Sequence, residues 1–190
     1  MDQLLIVLDI SGSMQEMGKL LLARNLVSFI RESSDINPEK FSIGGIRLFT
    51  LNEAIQPVEL TANCATPHFQ ASGKADLARL KDLLELEIER TTQVKGLILS
   101  DGIFPKALLK SFSAWCKEHL HLTLLAVAIG ADSSHADLKK LSTNNRVFSP
   151  EDISAAIQSL TAGIKGEVRG PTSVNEITFP SAQEDEEGSD

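Results

Sequence analysis

Short apolar runs alternate along the chain with stretches whose apolar residues recur at helical spacing. This alternation restricts the fold more than any other feature of the sequence. Leu4–Leu8 (LLIVL) is apolar at every position and rich in branched side chains. Such a run suits a central strand covered on both faces, because a strand with one wet face alternates apolar and polar residues. Val94–Leu99 and Leu120–Ile129 read the same way, and Arg146–Phe148 as a shorter strand. Between them, Leu20, Leu21, Ala23, Leu26, Val27 and Ile30 mark a helix over Lys19–Arg31 with a wide buried face. Leu77, Leu80, Leu83, Leu84, Leu86 and Ile88 mark another. Pro105 can open a third, since a proline at the first helical position sacrifices no hydrogen bond. Ser133 can cap a short helix over Ser134–Leu141. Glu151 and Asp152 suit the positive end of a last helix over Pro150–Ile164.

Phe41–Leu48 and Ala54–Leu60 read as two strands joined by a tight hairpin at Asn52 and Glu53. Pro57, which has no N–H to give a ladder, places the second of them at an edge. The order β-α-β-β-α-β-α-β-α-β-α implies an α/β fold. The expected architecture is an open, doubly wound, mainly parallel six-stranded sheet with one antiparallel edge strand and helices on both faces. Residues 1–165 form this domain. Residues 166–190 lack periodicity, end in an acid run and are expected to be a disordered tail.

Charge narrows the classes of partner. The chain holds 26 acids and 18 bases, a net charge of −8, and five of the acids lie in Gln183–Asp190. An acidic chain argues against nucleic acid and against an anionic membrane surface as partners. The longest apolar run, Leu122–Ala131, is about half a membrane span. The start, Met1-Asp2-Gln3-Leu4, lacks the basic segment of a secretory signal. Cys64 and Cys116 are too few for a disulfide framework, and both are expected as free thiols. These features point to a cytoplasmic protein. The acidic tail serves either solubility or docking.

In open α/β sheets, ligands bind beyond the carboxyl ends of the strands. Asp9-Ile10-Ser11-Gly12-Ser13 follows the first apolar run, and Asp101-Gly102 follows Val94–Leu99. If those strands are neighbours, two carboxylates and two hydroxyls meet. All are hard oxygen donors, suited to magnesium or manganese more than to zinc. The same residue types also occupy ordinary strand-to-helix loops and helix caps. His119 and His121 could share a strand face as metal ligands, or simply end a helix and start a strand. No phosphate-binding glycine loop and no Gly-x-Ser-x-Gly elbow is present.

Leu5-Ile6-Val7-Leu8-Asp9-Ile10-Ser11-Gly12-Ser13-Met14 resembles the first strand and Asp-x-Ser-x-Ser loop of a von Willebrand factor A (vWA) domain. Ile98-Leu99-Ser100-Asp101-Gly102 resembles the second acidic motif of that family. Ala126-Val127-Ala128-Ile129-Gly130 and Val147-Phe148-Ser149-Pro150 resemble its later strands, so the likeness runs from about Leu4 to Ile164. It implies a metal-ion-dependent adhesion site. Ser11 and Ser13 would bind magnesium or manganese directly, and Asp9 and Asp101 directly or through water. The family usually adds a Thr from a third loop. Here Ala75 aligns at that position, with Thr66 or Ser72 as alternatives. One open position on the cation would take an acidic side chain of a partner protein. The implied function is a cation-dependent protein–protein interaction module, not an enzyme, and a subunit of a multi-protein assembly. Two other readings stand beside it. One is a metal-free scaffold, which Ala75 favours. The other is a metal-dependent hydrolase, against which stands the lack of a His after either strand end.

Overall fold

The computed structural model describes residues 3–36, 45–60 and 66–161. Strand β1 (Leu4–Asp9) is followed by a 3-10 segment (Gly12–Gly18) and helix α1 (Lys19–Ile36). Strands β2 (Ile46–Leu51) and β3 (Ile55–Val58) come next, then α2 (Leu77–Arg90), β4 (Val94–Ser100) and α3 (Lys106–Glu118). The chain continues through β5 (Leu122–Ala128), α4 (His135–Leu141), β6 (Val147–Phe148), a 3-10 turn (Pro150–Asp152) and α5 (Ile153–Thr161). The six strands form one sheet in the order β3-β2-β1-β4-β5-β6. All neighbours run parallel except β2 and β3. The expected mixed sheet is therefore present, with its antiparallel strand at the edge and Pro57 in it, opposite Phe49.

Every residue of β1 is buried. Its side chains alternate between two cores. Leu5 and Val7 join Leu77, Leu80 and Leu84 of α2 and Leu109, Phe112 and Trp115 of α3. Leu4, Ile6 and Leu8 join Ala23, Val27 and Ile30 of α1 and Ile153, Ile157 and Leu160 of α5. Burying an aliphatic or aromatic side chain of this size contributes about 1.5–3 kcal/mol. The unbroken apolar run of β1 is thus the direct consequence of having helices on both sides.

Several boundaries differ from those the periodicity predicts. Strand β2 runs from Ile46 to Leu51 rather than over Phe41–Leu48, of which residues 41–44 lie outside the described part. It continues past Leu48 because Thr50 and Leu51 pair with Leu8 and Asp9 of β1. Strand β5 starts at Leu122, since Leu120 is 91% exposed in a turn where the Leu122 N–H donates to the His119 carbonyl. The last helix is divided, a 3-10 turn at Pro150–Asp152 preceding α5. Cys116 is a buried free thiol. Cys64 and the proposed tail at 166–190 lie outside the described residues.

Candidate functional site

After β1 the chain turns to one side of the sheet, and after the β2–β3 hairpin it crosses to the other. The strand order therefore reverses between β1 and β4, where doubly wound sheets open a crevice. Asp9 ends β1, and Asp101 follows β4 directly. Both are fully buried. Asp9 Oδ1 accepts the Ser11 N–H at 2.8 Å, and Asp101 Oδ1 accepts the Ile103 N–H at 3.2 Å. Each carboxylate thus folds back on the backbone two residues further on, as Asp side chains do in tight turns.

The remaining oxygens meet different partners. Asp9 Oδ2 accepts the Ser100 hydroxyl at 2.6 Å, and Ser100 Oγ in turn accepts the Gly102 N–H at 2.9 Å. Asp9 therefore has only neutral donors. Burial pushes its carboxyl above the usual carboxylate range, against the opposing effect of the bonds from Ser100 and Ser11, and the charge of Asp101 adds to the rise. Asp101 Oδ2 instead accepts from the Lys19 ammonium at 3.0 Å.

Of the two serines of the first loop, Ser11 is buried and Ser13 half-buried, and both line the crevice. Ser11 Oγ and Ser13 Oγ lie 3.3 Å apart. The loop is held from the side by a neighbouring segment. The Ser72 N–H donates to the Ile10 carbonyl at 2.8 Å, and the Gly12 N–H to the Gly73 carbonyl at 3.0 Å. Gly73 sits at φ +66°, and a Cβ there would come within 2.8 Å of Glu53 Oε1. Ser11, Ser13, Gly73, Lys74, Ile103, Phe104 and Pro105 line a cleft of about 380 Å³.

The residues considered for the third loop have other partners in the structure. Ala75 is buried in the core beneath α2. Thr66 is buried, its hydroxyl 2.7 Å from that of Ser28 on α1. Ser72 is exposed, and its hydroxyl faces Asn52 Nδ2 at 3.5 Å. His119 and His121 form no ligand pair. The His119 ring meets the Trp115 carbonyl at the end of α3, and His121 is exposed.

Lys19 is the residue that the sequence reading missed. It is 1% exposed, and its ammonium also contacts Asp132 Oδ2 at 2.7 Å and the Ser13 carbonyl at 3.3 Å. Burial works against its charge, but Asp132 and Asp101 outweigh that and raise its pKa. The same contact lowers the pKa of Asp132. Gly130, at φ +93°, makes the room. A Cβ on it would lie 2.8 Å from Lys19 Cε and 3.0 Å from Lys19 Cγ. A signal was present in the sequence. Lys19, Ala23, Val27 and Ile30 follow helical spacing, so Lys19 belongs to the buried face of α1.

No family model and no curated protein matches the chain. Solved structures do match. The ArnB paralog VWA2 from Sulfolobus acidocaldarius aligns with 84% of this chain at a TM-score of 0.58 and 21% identity. A von Willebrand factor type A protein from Catenulispora acidiphila aligns with 85% at a TM-score of 0.52 and 14% identity. The chain has the von Willebrand factor A fold. Proximal thread matrix protein 1 from the mussel byssus, in a structure with a zinc-occupied MIDAS motif, aligns with 83% at a TM-score of 0.58 and 12% identity. This chain spans less than half the length of each of these, 44%, 42% and 45%.

The vWA fold raises the question of whether these residues suit a metal. The donor chemistry fits a hard divalent cation, with two carboxylates and two hydroxyls, all oxygen, on the two loops at the reversal of strand order. Among the described residues, no three His, Cys, Asp or Glu side chains come together. Any cation here must therefore rely on the serine hydroxyls. Among the described residues, the Lys19 ammonium on Asp101 and the buried Ala75 run against a cation here.

Proposed function

We propose that this chain is a divalent-cation-dependent protein-interaction domain. Asp9, Ser11, Ser13 and Asp101 are its cation ligands, and magnesium or manganese is the ion. The observation that carries the reading is the placing of the Ser11 and Ser13 hydroxyls, 3.3 Å apart, in the wall of a cleft beside the ends of β1 and β4. A bound cation would supply an electrophilic point that draws a carboxylate. The cleft favours the same partner chemistry. Lys74 brings a positive charge to its wall, and Ile103, 52% exposed, offers an apolar contact beside it. An acidic side chain followed by an apolar one fits that arrangement.

The domain acts by binding rather than by turnover. The reading of binding is supported by the lining of the cleft, where no His, Asp or Glu stands among the described residues. A metal-free scaffold is the second reading, supported by Lys19, which already gives Asp101 a positive partner. Calorimetric titration of the full chain with magnesium and with manganese separates the two. Binding that is lost in an Asp9→Asn, Asp101→Asn double variant supports the cation-dependent domain. Absence of binding at millimolar cation leaves the scaffold. Capture of partners from native lysate with magnesium and with chelator then tests whether the cation governs association.

A further inference from the structure

Lys19 is an unusual neighbour for a cation site. It is 1% exposed, and it is held between two carboxylates from different parts of the chain. Asp101 is fully buried and follows β4, whereas Asp132 lies in the loop after β5 and is 45% exposed. The ammonium also touches the carbonyl of Ser13, within the first serine loop. Gly130 leaves the space that the lysine stem fills. The arrangement is thus built by residues from three separate segments of the fold.

Charge explains what it does. Asp9 and Asp101 lie at the ends of adjacent strands, out of water, and Asp9 has only neutral donors. Two buried carboxylates repel each other unless a positive charge is near. Lys19 supplies one. A divalent ion at Asp101 would meet that ammonium across a single carboxylate, and like charges at such separations repel strongly where water is excluded. The ion and the ammonium therefore compete for Asp101 Oδ2. Asp132 is already the shorter contact, 2.7 Å against 3.0 Å, so the ammonium keeps a partner when Asp101 is taken.

Resting on the proposed cation site, we infer that Lys19 is an exchangeable internal counter-ion. It neutralises Asp101 while no divalent ion is bound, and it remains on Asp132 when one is. The ion-free protein is thereby kept folded, and the affinity for divalent ions is held down to a weak, reversible range.

The test uses the full chain and magnesium alone as the probe. In calorimetry, Lys19→Gln should bind magnesium at least about tenfold more tightly than the unaltered protein. In chelator the same variant should melt at a lower temperature, and magnesium should raise its melting temperature by more than it raises that of the unaltered protein, a difference that a merely structural lysine would not produce. A second measurement needs no substitution. The Lys19 ammonium is shielded from solvent, so its 15N-detected NMR signal can be followed as magnesium is added. That signal should shift with the same midpoint as the calorimetric titration and stay protected from exchange at saturation. Equal magnesium affinity in Lys19→Gln and the unaltered protein overturns the counter-ion while leaving the cation site standing. An ammonium signal that saturating magnesium leaves in place does the same, even if Lys19→Gln does not fold. No magnesium binding by either protein overturns both.

Discussion

The carboxylate of Asp9 accepts the hydroxyl of Ser100 at 2.6 Å, a buried bond from the end of β1 to the last residue of β4. It fastens the two strands at the point where their order reverses. Asp9 is therefore a structural acceptor as well as a proposed ligand. A carboxylate beside a like charge is no asset to an ion-free fold, so the sequence alone suggests that Asp9→Ala leaves the fold intact, or even steadies it. The geometry gives a different expectation. Alanine strips acceptors from the Ser100 hydroxyl and the Ser11 N–H, and each buried orphan costs about 1–3 kcal/mol. Asp9→Ala should lose up to about 2–6 kcal/mol of stability in chelator, the sum over both orphans, while Asp9→Asn, which keeps the Ser11 bond, should lose less. Denaturant unfolding of the two variants checks this.

The pH dependence of the same pair carries a definite sign. The folded state raises the pKa of Asp9 above its ordinary 3.8, so the native protein holds this proton more tightly than the unfolded chain does. Its contribution to stability is present at low pH and falls as pH rises from about 4 through the raised folded value. In chelator, the stability difference between Asp9→Asn and the unaltered protein should therefore grow in favour of the variant across that window and then level off. A difference that shrinks with rising pH would show that Asp9 is held as the carboxylate.

Cys116 should be chemically silent in the native protein. It is 6% exposed, and burial pushes its thiol up to about 12. The thiolate is the reactive form, so almost none is available at pH 8. Iodoacetamide at that pH should leave Cys116 unmodified in the folded chain and label it once denaturant is added, as read by peptide mass spectrometry.

Gly130→Ala should be costly for two reasons that act together. The position sits at φ +93°, and the added methyl would press on the stem of Lys19. A side chain at an incompatible positive φ costs more than about 1 kcal/mol. Displacement of Lys19 then weakens its hold on Asp101. Thermal unfolding in chelator should show the loss. A variant that also removes the lysine's charge, Gly130→Ala with Lys19→Gln, should lose less than the sum of the two single changes.

How much of this was legible in the sequence depends on what kind of residue carried it. The unbroken apolar run of Leu4–Leu8 announced a strand with helices on both sides, and Pro57 announced an edge. Asp9, Ser11, Ser13 and Asp101 were legible as residues just beyond strand ends, and the sheet does bring their loops together. The end of β2 was not legible, because Thr50 is polar yet buried by its pairing with β1. Lys19 escaped notice because lysine is ordinarily solvated. Its place on the apolar face of α1 could be read from spacing, but its partners, Asp101 and Asp132, could not. They are 82 and 113 residues away along the chain. In the sequence Gly130 shows only as the residue after the apolar run Ala126–Ile129, since the stem that it accommodates comes from α1.

The sheet is also blunt at both margins. On one side it ends in β3, where Pro57 offers no N–H, and on the other in β6, which is two residues long. Among the described residues, each margin therefore offers few of the free backbone groups that let a foreign strand, or another copy of the same chain, join by extending the ladder. Growth by strand addition is disfavoured in both directions. Assembly through the loops or the helices is favoured instead, and crowding among copies of its own kind gives little footing for a continuous sheet.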